Sequence, residues 1–294
     1  MKTMTSVVAA TDFSDAAGHA AERGAIVAKE QQARLDLMHV ISGSSLSSLS
    51  KLFQVSADVE ARLIDDARRL LDETIADIGK ATSVRASASV KTGRVLGEIL
   101  LASETADLLV LGAHGLNPLR DLVLGTTAER VLRTCKRPVL IVKRPPRGVY
   151  ERVIVPVDFS SYSAPALKTA RQIAHNARIT ILHAFRVPFE GKLQIADASD
   201  ETIRNYCEME RREAEKKIEE LTRGSGDDAH RISLTVVRGD VSRVIFAKEE
   251  ELSADLIVIG KHGQSMVKEL LLGSVTHHVL AGSKCDVLVV PIQS

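Results

Sequence analysis

Two glycine-rich motifs, each preceded far upstream by a strand-ending aspartate, hold the residues of this sequence best suited to chemistry. Gly112-Ala113-His114-Gly115 is followed by nine residues and then Gly125-Thr126-Thr127. Gly260-Lys261-His262-Gly263 is followed by nine residues and then Gly273-Ser274-Val275-Thr276. Both read G-x2-G-x9-G-[ST]. Glycine permits positive φ and, lacking a Cβ, lets backbone N–H groups approach an anion closely. The trailing hydroxyl falls near a helix start, where the dipole and free amides favour negative charge. That chemistry is phosphate binding. Asp12 and Asp158 each close a β-branched run, Ser6–Ala10 and Arg152–Pro156. A carboxylate there suits a ribose hydroxyl or an adenine amine. On the residues alone a second assignment stays open, in which the glycines are turn and packing devices and the aspartates cap the helices that follow.

Other signals are weaker. No G-x4-GK[ST] occurs, and Gly93–Gly97 lacks the dinucleotide fingerprint, so a P-loop enzyme and a dinucleotide oxidoreductase are both unsupported. His114 and His262 lie inside the glycine motifs and read as polar loop residues with a phosphate contact as the alternative. His277-His278 lacks the spacing of a zinc helix. Ser42–Ser50 holds six serines and reads as a loop.

The elements that must position the motifs come in two copies. Asp12-Phe13-Ser14 returns as Asp158-Phe159-Ser160, and Leu37–Val40 returns as Ile181–Ala184. Ala106-Asp107-Leu108-Leu109-Val110-Leu111-Gly112 returns as Ala254-Asp255-Leu256-Ile257-Val258-Ile259-Gly260. The second copy carries two extra residues near Lys248–Leu252. Apolar periodicity predicts strands near 5–10, 34–40, 84–91, 108–112 and 138–143, and helices near 15–31, 57–79, 94–105 and 119–135, with the same order after Glu151. A long helix near 200–222 pairs Glu208 with Arg212 and Glu213 with Lys217, which reads as a solvated face. Alternating apolar strands and helices predict an α/β fold: two tandem, doubly wound, five-stranded parallel-sheet domains of Rossmann-like type. The Pro- and Arg-rich stretch Lys143–Gly148 reads as the link between domains 1–146 and 147–294.

Bulk composition agrees. Of 294 residues, 45% are hydrophobic and only 3% aromatic, with no Trp, so the core must be aliphatic and base-stacking platforms are not expected. A net charge of +1 favours neither nucleic acid nor an anionic membrane. Three scattered cysteines argue against a disulfide framework, and residues 1–30 hold no continuous apolar run. The expectation is a reduced, soluble, cytoplasmic protein.

Over nearly the whole chain, twice, the sequence resembles the universal stress protein family. The resemblance rests on Val157-Asp158-Phe159-Ser160, the Asp-Leu-Ile-Val-Ile-Gly strand, the glycine motif and the closing strand Pro138–Val142, echoed by Val287–Pro291. It implies ATP or AMP as ligand, with Mg as a companion ion. It implies Pro156, Asp158, Ala184, Gly260, Gly263, Gly273, Ser274, Val275 and Thr276 as nucleotide contacts in the second half. In the first half it implies Asp12, Val40, Gly112, Gly115, Gly125, Thr126 and Thr127. It further implies closing strands that pair to make an internal pseudo-dimer, a homodimer beyond that, and an unidentified protein partner. Ala128 stands where the second half has Thr276, and Asp286 stands where the first has Pro138. Slow ATP hydrolysis, autophosphorylation or a nucleotide-independent interaction module are the alternatives, and no general base can be chosen from the residues. An adenylating ligase would need a further substrate domain.

Overall fold

A computed structural model describes residues 4–43, 57–115, 124–186, 200–223, 230–264 and 271–292. The first half runs β1 (Ser6–Thr11), α1 (Asp15–Gln31), β2 (Arg34–Ser42), α2 (Ala57–Thr82), β3 (Ala86–Gly93), α3 (Val95–Glu104), β4 (Leu108–Gly112), α4 (Thr126–Thr134) and β5 (Val139–Val142). The second half repeats it as β6 (Arg152–Pro156), α5 (Ser163–Ile173), β7 (Arg178–Phe185), α6 (Asp200–Thr222), β8 (Ile232–Arg238), α7 (Val241–Leu252), β9 (Leu256–Gly260), α8 (Ser274–Gly282) and β10 (Asp286–Val290). The two extra residues of the second half lengthen α7, which ends at Ser253 in the left-handed region. The helix expected near 119–135 instead starts at Thr126, because Gly125 takes an extended conformation as its N-cap; residues 119–123 lie outside the described residues. Most of the serine-rich stretch lies outside the described residues.

The ten strands of the described residues form one sheet in the order β3-β2-β1-β4-β5-β10-β9-β6-β7-β8. Pairing within each half is parallel, as uninterrupted aliphatic strands between helical layers require. The halves meet where β5 and β10 pair antiparallel, with Val287 opposite Ile141 and Val289 opposite Val139. One core cluster packs α1, α2, α5 and α6 on one face, and another packs α3, α4, α7 and α8 on the other. The α1 face is small, built from Ala17, Ala20, Ala21, Gly24, Ala25 and Ala28, so the helix axis lies close to the strands. A Cβ on Gly24 would already lie 3.3 Å from Leu35.

Chain order reverses between β1 and β4, and again between β6 and β9. In open α/β sheets the crevice outside the carboxyl ends of such strands is where ligands bind. Asp12 and Gly112 flank the first crevice, Asp158 and Gly260 the second.

A buried polar cluster ties the halves together beside the seam. The Asp286 carboxylate, 1% exposed, accepts from the Tyr150 hydroxyl at 2.8 Å and the Lys143 amide at 2.9 Å, and it lies 3.3 Å from Arg23 Nε. Arg23 stacks over the Tyr150 ring at 4.1 Å and donates to the Gly148 carbonyl at 2.6 Å. Burial pushes the Asp286 carboxyl above its ordinary range, while the Lys143 amide, Arg23 and Tyr150 pull it back. Two lysines then cross the seam from non-equivalent positions. Lys143 Nζ donates to the Leu280 and Ser283 carbonyls, each at 2.7 Å, at the end of α8. Lys261 Nζ donates to the Arg133 carbonyl at 2.6 Å, at the end of α4. Each therefore caps a helix C-terminus of the opposite half.

Candidate functional site

The strand-to-helix turn after β1 is held by its own side chains. Asp12 Oδ1 accepts from the Ser14 amide at 3.1 Å and its hydroxyl at 2.6 Å, and Ser14 in turn caps α1. After β6, Asp158 Oδ1 accepts from the Ser160 amide at 3.0 Å and the Ser163 hydroxyl at 3.1 Å. The next residue in each case, Phe13 or Phe159, adopts positive φ, 64° and 61°. A bulky residue in the left-handed region is uncommon and is held there by its surroundings. Phe13 rests 4.4 Å from the His39 ring, and Phe159 rests 4.6 Å from His183. Both imidazoles are fixed by Nδ1 contacts of 2.8 Å to strand-end carbonyls, Thr11 and Val157. This scaffold leaves the second carboxylate oxygen of each Asp facing the glycine loop.

The glycine loops meet those carboxylates. A Cβ on Gly115 would sit 2.6 Å from Asp12 Oδ2, and one on Gly263 would sit 2.6 Å from Asp158 Oδ2. Asp158 Oδ2 also accepts from the Gln264 amide at 3.0 Å. The base of each loop is closed by the last glycine: Gly125 N–H donates to Ala113 at 2.8 Å and Gly273 N–H to Lys261 at 3.0 Å. Helices α4 and α8 begin immediately afterwards with glycine as N-cap and no side-chain cap. Their first-turn amides are of the kind that binds anions.

These features open onto one cavity in each half. The second measures about 940 Å³ and the first about 510 Å³, within the range of small-ligand sites. The inner wall of the second is apolar, with Leu182, Val241, Ile245 and Ile259; Met38, Val95, Ile99 and Leu111 take these places in the first. Each cavity joins an apolar slot to a polar rim carrying a carboxylate and a helix N-terminus. That arrangement can sandwich a flat ring, bond a sugar hydroxyl and neutralise a phosphate.

A family model described as the universal stress protein family matches the chain twice, over residues 4–143 and 149–291. The chain belongs to the universal stress protein family. A universal stress protein of Mycobacterium tuberculosis is 24% identical over 300 residues, covering 96% of this chain and 95% of that protein. One of Methanocaldococcus jannaschii is 32% identical over 146 residues, covering 49% of this chain and 83% of that protein. Among solved structures, a universal stress protein of Archaeoglobus fulgidus superposes with a TM-score of 0.72 at 22% identity, covering 99% of both chains. The fold of a tandem universal stress protein is thereby established.

Of the residues that the family resemblance implies, Pro156, Asp158, Ala184, Gly263, Gly273, Ser274, Val275 and Thr276 line the second cavity together. Asp12, Val40, Gly112, Gly115, Gly125, Thr126 and Thr127 line the first. Gly260 is not among the residues that line the second cavity; its carbonyl accepts from Thr276 Oγ1 at 2.8 Å. The Thr276 hydroxyl thus gives its proton to the protein, although the residue borders the cavity. The reason for the glycines also differs from expectation. Among the described glycines, positive φ occurs at Gly93 and Gly148, not in the motifs. The motif glycines serve close approach: a Cβ on Gly112 would lie 2.8 Å from the Ala16 backbone, and one on Gly260 would lie 2.5 Å from Tyr162 Cβ. His262 is buried edge-on against Tyr162 at 5.2 Å, a packing residue, while His114 borders the first cavity.

The sequence reading missed one wall of the second cavity. Glu210, Glu213, Ala214 and Lys217 of α6 line it, on the helix face read as merely solvated. The expected pairs do form, Glu208 with Arg212 at 3.2 Å and Glu213 with Lys217 at 3.3 Å. Among the described residues no helix is long and apolar enough to cross a membrane, and no group of three or more His, Cys, Asp or Glu is placed to hold a metal.

Proposed function

We propose that this universal stress protein binds an adenine nucleotide, ATP or AMP, in the cavity of its second half, and that occupancy serves as a signal in the stress response. The observation that carries this reading is the meeting of Asp158, Gly263 and the uncapped start of α8 around one slot with apolar walls. The purine fits between Leu182, Val241 and Ile245, next to the Ala184 backbone at the end of β7. The ribose lies against Asp158, and the phosphates lie over the first-turn amides of α8. The first cavity has the same frame at smaller volume and is the weaker site. The protein acts in the cytoplasm, with its halves as an internal pair.

Mass spectrometry of small molecules released from gently purified protein tests the ligand, with ATP or AMP expected. Calorimetry of Asp158→Ala tests the site. The expected result is a folded variant with affinity reduced roughly ten- to hundredfold, as for loss of a hydrogen bond to a charged group. Unchanged affinity in the folded variant overturns the assignment.

A further inference from the structure

The second cavity is not built by the second half alone. Arg133, on the last turn of α4 in the first half, lines it together with Asp158, Gly263 and Ser274. An independent contact places that turn: the Arg133 carbonyl accepts from Lys261 Nζ at 2.6 Å, and Lys261 lies inside the second glycine motif. Helix α4 therefore ends against the loop that faces the phosphate side, away from the β7 end where the base would rest. Its guanidinium is held by Glu129 at 2.6 Å, an i,i+4 pair with side chains 44% and 34% exposed. Pairs of this kind contribute little to stability, so the guanidinium can exchange Glu129 for a stronger anion at small cost.

Among the described residues the first cavity has no such partner. Arg133 is the eighth residue after Gly125, and the eighth after Gly273 is Ala281. Among the described residues no Lys or Arg lines the first cavity. In the second, Lys217 is the other Lys or Arg among the described residues, and Glu213 pairs with it at 3.3 Å. With Glu210 and Asp158 also on the wall, an anionic ligand needs a cation beyond Lys217.

Resting on the nucleotide reading above, we infer that Arg133 is a positioning residue for the polyphosphate of a nucleotide in the second site, making that site a composite of both halves. Guanidinium binds phosphate oxygens in a bidentate fork that a lysine cannot reproduce. Arg133 then favours a triphosphate over a nucleoside at the second site and, among the described residues, has no equivalent at the first.

The test is calorimetric titration of the full-length protein and its Arg133→Ala and Arg133→Lys variants with ATP and, separately, with adenosine. The Lys261 contact uses the Arg133 carbonyl, so truncation leaves it in place. Arg133→Ala should weaken the tight ATP event roughly ten- to hundredfold and leave adenosine affinity unchanged. Arg133→Lys should restore part of the loss. Equal ATP affinity in wild type and Arg133→Ala overturns the inference while leaving the nucleotide reading intact. An equal loss for ATP and adenosine also overturns it, because Arg133 would then act through structure alone. Failure of the wild-type protein to bind either compound overturns the nucleotide reading itself, and the inference with it.

Discussion

The two cavities share a backbone frame and differ in the side chains around it. In both, an Asp ends the first strand, a Phe with positive φ follows, and a glycine Cα presses on the carboxylate. In both, the last glycine closes the loop and starts a helix without a side-chain cap. Yet among the described residues Asp12 is the only Asp, Glu, Lys or Arg lining the first cavity, whereas the second also has Arg133, Glu210, Glu213 and Lys217. The lesson is where variation is tolerated. Close contacts between Cα atoms, carboxylates and helix backbones leave no room for change, so both copies retain the frame. Helix faces that look onto the cavity from α6 and α4 face no such limit, and there the copies have diverged.

The largest expected effect tests a difference outside the cavities. Asp286 stands where the first half has Pro138, and it anchors Arg23, Tyr150 and Lys143 across the seam. Asp286→Ala leaves a buried guanidinium without its carboxylate, which typically destabilises by about 3–5 kcal/mol. Urea unfolding should show this loss, and a change below about 1 kcal/mol would mean that the seam is held by its apolar strands alone. Pro138→Ala, the matching change in the first half, removes no charge and should have a much smaller effect.

The next test separates the two sites. A methyl group on Gly263 or Gly115 would sit 2.6 Å from an Asp oxygen in either case, so each substitution displaces the carboxylate of its own site. Gly263→Ala should remove the tight nucleotide event, a loss of at least about tenfold, while Gly115→Ala retains it. The reverse pattern would make the smaller, less charged cavity the main site.

Much of this was legible in the sequence, and what was not shares a physical cause. Strand-like runs such as Leu108–Leu111 and Leu256–Ile259 announce buried parallel strands. The repeated Asp-Phe-Ser and glycine motifs mark both crevices. The left-handed Phe13 and Phe159 are not announced by residue type, since a bulky residue is uncommon there and tertiary packing on His39 and His183 joins the local Asp-Ser bonds in holding them. The bond from the Thr276 hydroxyl to the Gly260 carbonyl was not legible, because that acceptor lies 16 residues away in sequence. Arg133 and the α6 wall were invisible for the same reason, since they reach the second cavity from elements outside its motifs. One clue was present: Lys261 replaces Ala113 inside an otherwise repeated motif, and that lysine is the residue that reaches α4.

The smallest expected effect concerns the two lysines that cap opposite helices, and it is a pH dependence. Burial pushes Lys143 down to about 8, against pull in the other direction from Cys285, Glu249 and Asp286. The unfolded chain keeps the ordinary lysine value near 10.5. Between these values the unfolded state holds a proton that the folded state has released, so stability from this group rises with pH from about 8 upward. Below about 8 both states are protonated and the slope vanishes. Cys285 and Tyr150 act in the opposite sense, because burial raises both thiol and phenol and the folded state keeps protons that the unfolded chain has lost. The Cys285 contribution starts as the unfolded thiol ionises toward its ordinary value of 9.0, but it is common to wild type and a Lys143 variant, so their difference between pH 8 and 9 reports Lys143. Lys143→Met removes the titrating group and keeps the stem. Denaturant midpoints for wild type and variant should therefore diverge across that window, with wild type gaining at most about 1 kcal/mol relative to Lys143→Met as pH rises by one unit. Parallel curves would place the Lys143 ammonium in contact with solvent, leaving Lys261 as the cap that carries the seam.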